Sequence, residues 1–139
     1  MKVQTYLFFD GRCEEALNFY KTVLGAEIQM MMRFKDNPEP GAGGEGCGPG
    51  VVDGEKIMHA NFQVGETQVM ASDGNAAGKP VFQGFSLSLN PANEAEAERL
   101  FKALGEGGQV QMPLSKTFFA KSFGMLADKF GVGWMVIVE

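Results

Sequence analysis

Hydrophobic and polar positions alternate between two periods along this chain, and the switches between them mark its elements. Lys2 to Phe9, rich in Val, Tyr, Leu and Phe, reads as a strand ended by an Asp10-Gly11 turn, with Asp10 as the expected helix N-cap. Cys13, Ala16, Leu17, Tyr20, Val23 and Leu24 then fall on one stripe of an amphipathic helix from Arg12 to Leu24. Glu14 and Glu15 occupy its positive end, and Gly25 is placed to close it. Ala26 to Phe34 reads as a second strand. Ile57 to Val64 and Thr67 to Ser72 form a hairpin about Gly65-Glu66.

The second half repeats this order. Val81 to Leu89 is an expected strand, and Asn90-Pro91 opens an expected helix whose stripe is Ala97, Leu100, Phe101 and Leu104. Strands are expected at Gln109 to Leu114, Phe119 to Asp128 and Val132 to Val138. The two Leu-Gly helix ends, Leu24-Gly25 and Leu104-Gly105, stand 80 residues apart at matching points of the two runs. An internal duplication follows, of two βαβββ modules in an α+β fold. Module one covers about 1–73, 74–80 is a linker, and module two covers about 81–139. Between Lys35 and Lys56 glycine and proline dominate, so Asp36 to Gly54 is expected to be a mobile loop beside the site.

Period-2 parity assigns faces within each module. Met58, Ala60, Phe62 and Val64 suit the helix side, which leaves Ile57, His59, Asn61 and Gln63 on the other face. Phe85, Leu87 and Leu89 are likewise expected under the second helix, with Gly84, Ser86 and Ser88 opposite. Polar residues on a face without a helix point to ligand contact.

Composition and charge narrow the function classes. The chain has 139 residues, 45% hydrophobic and 21% charged, which is ordinary globular usage and one domain's length. Twelve basic against 17 acidic residues give a net charge of −5, with the excess carried by residues 1–73. No Lys/Arg stripe exists to neutralise phosphates, so nucleic acid and anionic membrane are excluded as expected partners. No apolar run spans a bilayer and no secretory leader is read at the N-terminus. Two cysteines, Cys13 and Cys47, make no disulfide framework, and a cytoplasmic setting is expected.

The stretches Phe19-Tyr20-Lys21-Thr22-Val23-Leu24-Gly25, Met58-His59-Ala60-Asn61, Met70-Ala71-Ser72-Asp73 and Met112-Pro113-Leu114 carry a resemblance. Asp128-Lys129-Phe130-Gly131-Val132-Gly133-Trp134 is its most specific part. Nearly end to end, the chain resembles the glyoxalase/bleomycin-resistance/dioxygenase superfamily, the vicinal oxygen chelate fold, in its PhnB-like branch. The resemblance implies paired curved mixed sheets with outer helices, and a homodimer. Phe119 and Ile137 depart from the branch, which often has Trp and Asn there.

Metal-dependent members place His or Glu ligands on their first, fourth, fifth and eighth strands. Carried across, these positions are Thr5, Ala71, Gly84 and Met135, none an ordinary His, carboxylate or thiolate ligand. No metal site and no cofactor are expected. The branch is also called a demethylubiquinone methyltransferase, yet no glycine-rich strand-to-helix turn serves a nucleoside cofactor. Gly41-Ala42-Gly43-Gly44-Glu45-Gly46 matches such a motif only in letters, since more Gly and Pro follow it.

His59, the only histidine, is the candidate acid or base. Its alternative is a histidine that simply holds Asp73, Asn61 or backbone. Candidate ligand contacts are His59, Asn61, Asp73, Ser86, Met135 and Phe119. Asp73 and Lys79 are placed at the site's mouth, with a solvated turn as the alternative. Trp134, of opposite parity to Met135, is expected under a helix, and Cys13 in the core. The expected function is metal-independent binding of a small molecule, the alternative a metal-free enzyme working through His59.

Overall fold

The computed structural model describes residues 1–36, 54–74 and 80–139, which fall into two compact units, Met1–Pro80 and Val81–Glu139. Unit 1 runs β1 (Tyr6–Phe8), α1 (Cys13–Leu24), β2 (Glu27–Arg33), a short 3-10 turn, β3 (Ile57–Val64) and β4 (Thr67–Ser72). Unit 2 runs β5 (Leu87–Leu89), α2 (Glu94–Gly105), β6 (Gln109–Ser115), β7 (Ser122–Ala127) and β8 (Gly133–Val138). Each holds one four-stranded mixed sheet, ordered β1-β4-β3-β2 and β5-β8-β7-β6. The first strand of each unit pairs parallel to its last, and the other neighbours are antiparallel. Identical strand order in both units is the structural form of the duplication. The glycine- and proline-rich segment expected to be a mobile loop lies, at 37–53, outside the described residues, as does Lys79.

In unit 1 a row of small residues brings the helix close. Leu7 pairs with Ala71 and Ala71 with Ala60, and all three are buried. Above them Tyr20 of α1 stacks on Phe62 with ring centroids 5.8 Å apart, and Phe9 lies against Tyr20 at 6.4 Å. Burial of such aromatic surface is the main source of cohesion here. Cys13, Ala16 and Leu17 complete the buried stripe, as the periodicity predicts. In unit 2 Leu100, Phe101 and Leu104 of α2 form the corresponding stripe. Gly124 of β7 lies directly beneath Phe101, where a Cβ would come within 2.7 Å of the Phe101 ring.

Several element ends differ from expectation, β1 starting at Tyr6 and not Lys2 and β7 at Ser122 and not Phe119. The helix α1 is not capped by Asp10, which sits in the left-handed turn at φ 49. Its N-cap is Arg12, whose own side chain makes no cap bond. Helix α2 starts later than Asn90-Pro91 implies. Asn93 is its cap, the side chain accepting from the Glu96 amide at 2.8 Å. The Asn93-to-Glu96 spacing is that of a capping box, a stronger local signal than proline at the first turn. Finally, β5 is three residues long because Gly84 adopts a left-handed φ of 84 and interrupts the extended chain. Phe85 is consequently 47% exposed instead of lying beneath α2.

Candidate functional site

Each sheet covers one face with its helix, and the residues of opposite parity share a helix-free face. In unit 1 the register draws two rows across it. Tyr6 pairs with Met70, Met70 with Asn61, and Asn61 with Met30. Alongside, Phe8 pairs with Ser72 and Met32 with His59. None of these eight is Asp, Glu, Lys or Arg. The face is apolar and sulfur-rich, with a few neutral polar groups.

The polar centre of this face is a tyrosine–histidine pair. The Tyr6 hydroxyl lies 3.0 Å from Nδ1 of His59, and the two rings are 5.6 Å apart. Phe8 extends the aromatic surface, 4.8 Å from Tyr6. Gly74, at φ 58, keeps that ring in place, since a Cβ there would approach Phe8 Cδ1 to 2.7 Å. Asn61 lies two residues along β3 from His59, so both project from the same side of the strand. Parity therefore places His59 and Asn61 as expected. Ile57 departs from it, being 1% exposed, because a register irregularity between His59 and Ile57 breaks the alternation there.

Along one edge the glutamines form a hydrogen-bonded file. Gln4 donates to Gln68, Gln68 to Gln29, Gln29 to Gln63, and Gln63 to the Gly65 carbonyl.

Asp73 is not at the mouth of a site. It is 3% exposed, and its carboxylate accepts from three backbone amides. Oδ1 takes Gly11 N at 2.6 Å and Cys13 N at 2.9 Å, and Oδ2 takes Ile57 N at 2.7 Å. The residue caps α1 from sixty positions away and ties that helix end to β3. Its charge also suits the positive helix terminus. Burial raises the pKa of the neighbouring Cys13 thiol, with the carboxylates of Asp73 and Glu14 adding to the rise. This thiol is a core group.

In unit 2 the equivalent row is Ser88, Met135, Met125 and Met112, paired in that order across β5, β8, β7 and β6. Met135 thus faces away from the helix, as expected. Ser86 shares that parity, its Oγ lying 3.1 Å from where a Cβ on Gly133 would stand. Phe119 is half exposed and meets Phe123 edge-on at 5.2 Å. Trp134 is buried on the helix side, its Nε1 donating to Asp128 Oδ2 at 2.9 Å. Asp128 Oδ1 accepts from the Phe130 and Val132 amides, which binds the specific C-terminal motif into one turn.

The positions carried over for metal ligands need one correction. Ala71 lies in the buried row beneath α1, and Thr5 shares the parity of Leu7, so Tyr6 and Met70 hold the helix-free places on those strands. A one-residue shift of register reverses every side chain of a strand. Tyr6 is the member of the site that the sequence reading missed. Its signal was present in β1, where buried Leu7 and Phe9 leave Tyr6 and Phe8 on the opposite face.

A family model described as 3-demethylubiquinone-9 3-methyltransferase matches residues 1–137. This chain belongs to that family, the PhnB-like one. The protein YjdN of Escherichia coli K12 is 35% identical over 99% of this chain and 95% of its own length. A crystal structure of a Pseudomonas aeruginosa protein is 47% identical, covers 100% of this chain and 98% of its own, and superposes with a TM-score of 0.85. A Bacillus cereus structure described as a putative 3-demethylubiquinone-9 3-methyltransferase, PhnB protein, is 31% identical over the whole of both chains, with a TM-score of 0.81. The fold extends to the glyoxalase/bleomycin-resistance/dioxygenase domain of a Frankia species, at 14% identity, 99% of this chain and 90% of that one, and a TM-score of 0.64.

The PhnB-like chain's donors do not suit the metal of that wider superfamily. Gly84 lies before β5, on which Ser88 holds the helix-free place beside Met135, so Tyr6, Met70, Ser88 and Met135 offer a phenol, thioethers and a hydroxyl on the helix-free faces of the four strands. Among the described residues no three of His, Cys, Asp and Glu come together. A zinc- or nickel-type centre needs imidazole, carboxylate or thiolate.

Proposed function

We propose that this PhnB-like protein binds an uncharged small organic molecule on the helix-free face of unit 1, without a metal. The observation that carries this reading is the Tyr6–His59 pair with Asn61 beside it, set among Met30, Met32, Met70 and Phe8. A few placed polar groups on an apolar, adaptable surface is the usual make-up of a small-molecule site. The family's description names methyl transfer, and binding without that chemistry is the reading argued for. At the first strand-to-helix turn, where a nucleotide-type cofactor would set its anionic group, Asp73 already engages the amides of Gly11 and Cys13.

Native mass spectrometry of the purified protein tests this reading. We expect a bound neutral compound that is lost from a His59→Ala/Asn61→Leu variant, with no stoichiometric metal. A firmly held zinc, nickel, manganese or iron ion overturns the metal-free reading. The same spectrum reports subunit number, for which we propose a homodimer in the cytoplasm. Exposed Phe118, Phe119, Val110 and Met112 in unit 2 support the dimer.

A further inference from the structure

We infer that Tyr6 holds His59 in the tautomer protonated at Nε2, and that this N–H receives an uncharged carbonyl oxygen of the ligand. The inference rests on the binding reading above and names its ligand class.

The tyrosine hydroxyl and the imidazole Nδ1 are 3.0 Å apart, so one proton lies between them. Two arrangements are conceivable. A bare imidazole nitrogen is a strong neutral acceptor, whereas the phenol oxygen shares its lone pair with the ring and accepts weakly. Tyr6 therefore donates, Nδ1 accepts, and the imidazole's own proton sits on Nε2. Among the described residues Nε2 has no hydrogen-bond partner, nor does the Asn61 amide, and no buried polar side-chain atom is left unsatisfied. Nε2–H is thus an accessible donor awaiting an acceptor.

The surroundings select that acceptor. Beside His59 stand Tyr6, Met32, Asn61 and Met70, with no Lys or Arg among them to offset an anion's desolvation. A cation finds no lone pair at Nε2. An uncharged carbonyl oxygen satisfies the donor with no charge to bury, and the thioethers and the rings of Tyr6 and Phe8 suit an aromatic or apolar body. This arrangement also removes Nε2 as a general base, since its lone pair is absent in the neutral ring. Any chemistry at His59 would begin with hydrogen-bond donation.

One histidine in the chain makes the test direct. Nitrogen-15 imidazole spectra of the whole protein are recorded alone, with acetophenone, and with isopropylbenzene, which has a similar shape and no oxygen. We expect a protonated Nε2, an unprotonated Nδ1, and an Nε2–H resonance moved by acetophenone but not by isopropylbenzene. Tyr6→Phe should shift Nδ1 and weaken acetophenone binding about fivefold. Should that variant fail to fold, the wild-type spectrum alone decides the tautomer. A proton on Nδ1, or both tautomers together, overturns the inference. If the Met30 and Met70 methyls respond to both probes while Nε2 stays still, binding stands and carbonyl recognition falls. If the tautomer is as assigned and nothing on the face responds, the binding reading falls with it.

Discussion

At the scale of single residues, buried carboxylates and the core thiol govern stability more than any surface charge. Asp73 satisfies three backbone amides at once, so its loss leaves three donors without an acceptor in a buried place. Asp73→Ala should destabilise the protein by about 3 kcal/mol or more, read from urea midpoints, while Asp10→Asn, which keeps a residue suited to the left-handed φ of 49, should change little. Cys13 gives a second test. Unfolded, its thiol ionises near pH 8.5, whereas burial keeps it protonated in the fold. Above that pH the unfolded chain binds fewer protons, so stability present at neutral pH falls as pH rises. The slope approaches about 1.4 kcal/mol per pH unit. Urea titrations from about pH 8 to about pH 10 should show this slope in the native chain and lose it in Cys13→Ala.

At the scale of elements, the helices are alike in their stripes and unlike in their caps. Helix α2 carries a local cap at Asn93, and α1 takes its cap from Asp73 at the end of β4. Asn93→Ala should therefore cost about 1 kcal/mol, and Asn90→Ala close to nothing, by thermal or urea unfolding. Packing of α2 on its sheet depends on Gly124. A methyl there would lie 2.7 Å from Phe101 and 3.0 Å from Leu114. Gly124→Ala should lower stability by about 1–3 kcal/mol, and Phe101→Leu in the same chain should recover part of that loss.

At the scale of the whole molecule, two units with one strand order have kept the same frame and diverged in what they present. The row Tyr6, Met70, Asn61 and Met30 has its counterpart in Ser88, Met135, Met125 and Met112. Neither row offers the donor set that zinc or nickel requires. Excess Zn²⁺ or Ni²⁺ should give no saturable rise in melting temperature, and dialysis against a chelator should leave it unchanged. A chelator-sensitive melting temperature would contradict this.

Local pattern by itself determined the duplication, both helices, the Ile57–Val64 and Thr67–Ser72 hairpin and the place of Cys13 in the core. Those features follow from periods of 3.6 and 2 within a short stretch of chain, and such periods need no distant partner. The parity of β3 likewise placed His59 and Asn61 on the helix-free face. Tertiary structure alone decided the rest. Asp73 meets α1 across sixty residues and Tyr6 meets His59 across fifty-three, both brought together by the parallel pairing of β1 with β4. Parallel pairing joins strands far apart in sequence and leaves no turn signature between them. A single step of register on those two strands settles whether Tyr6 or Thr5, Met70 or Ala71, faces away from the helix, and only the assembled sheet supplies that step.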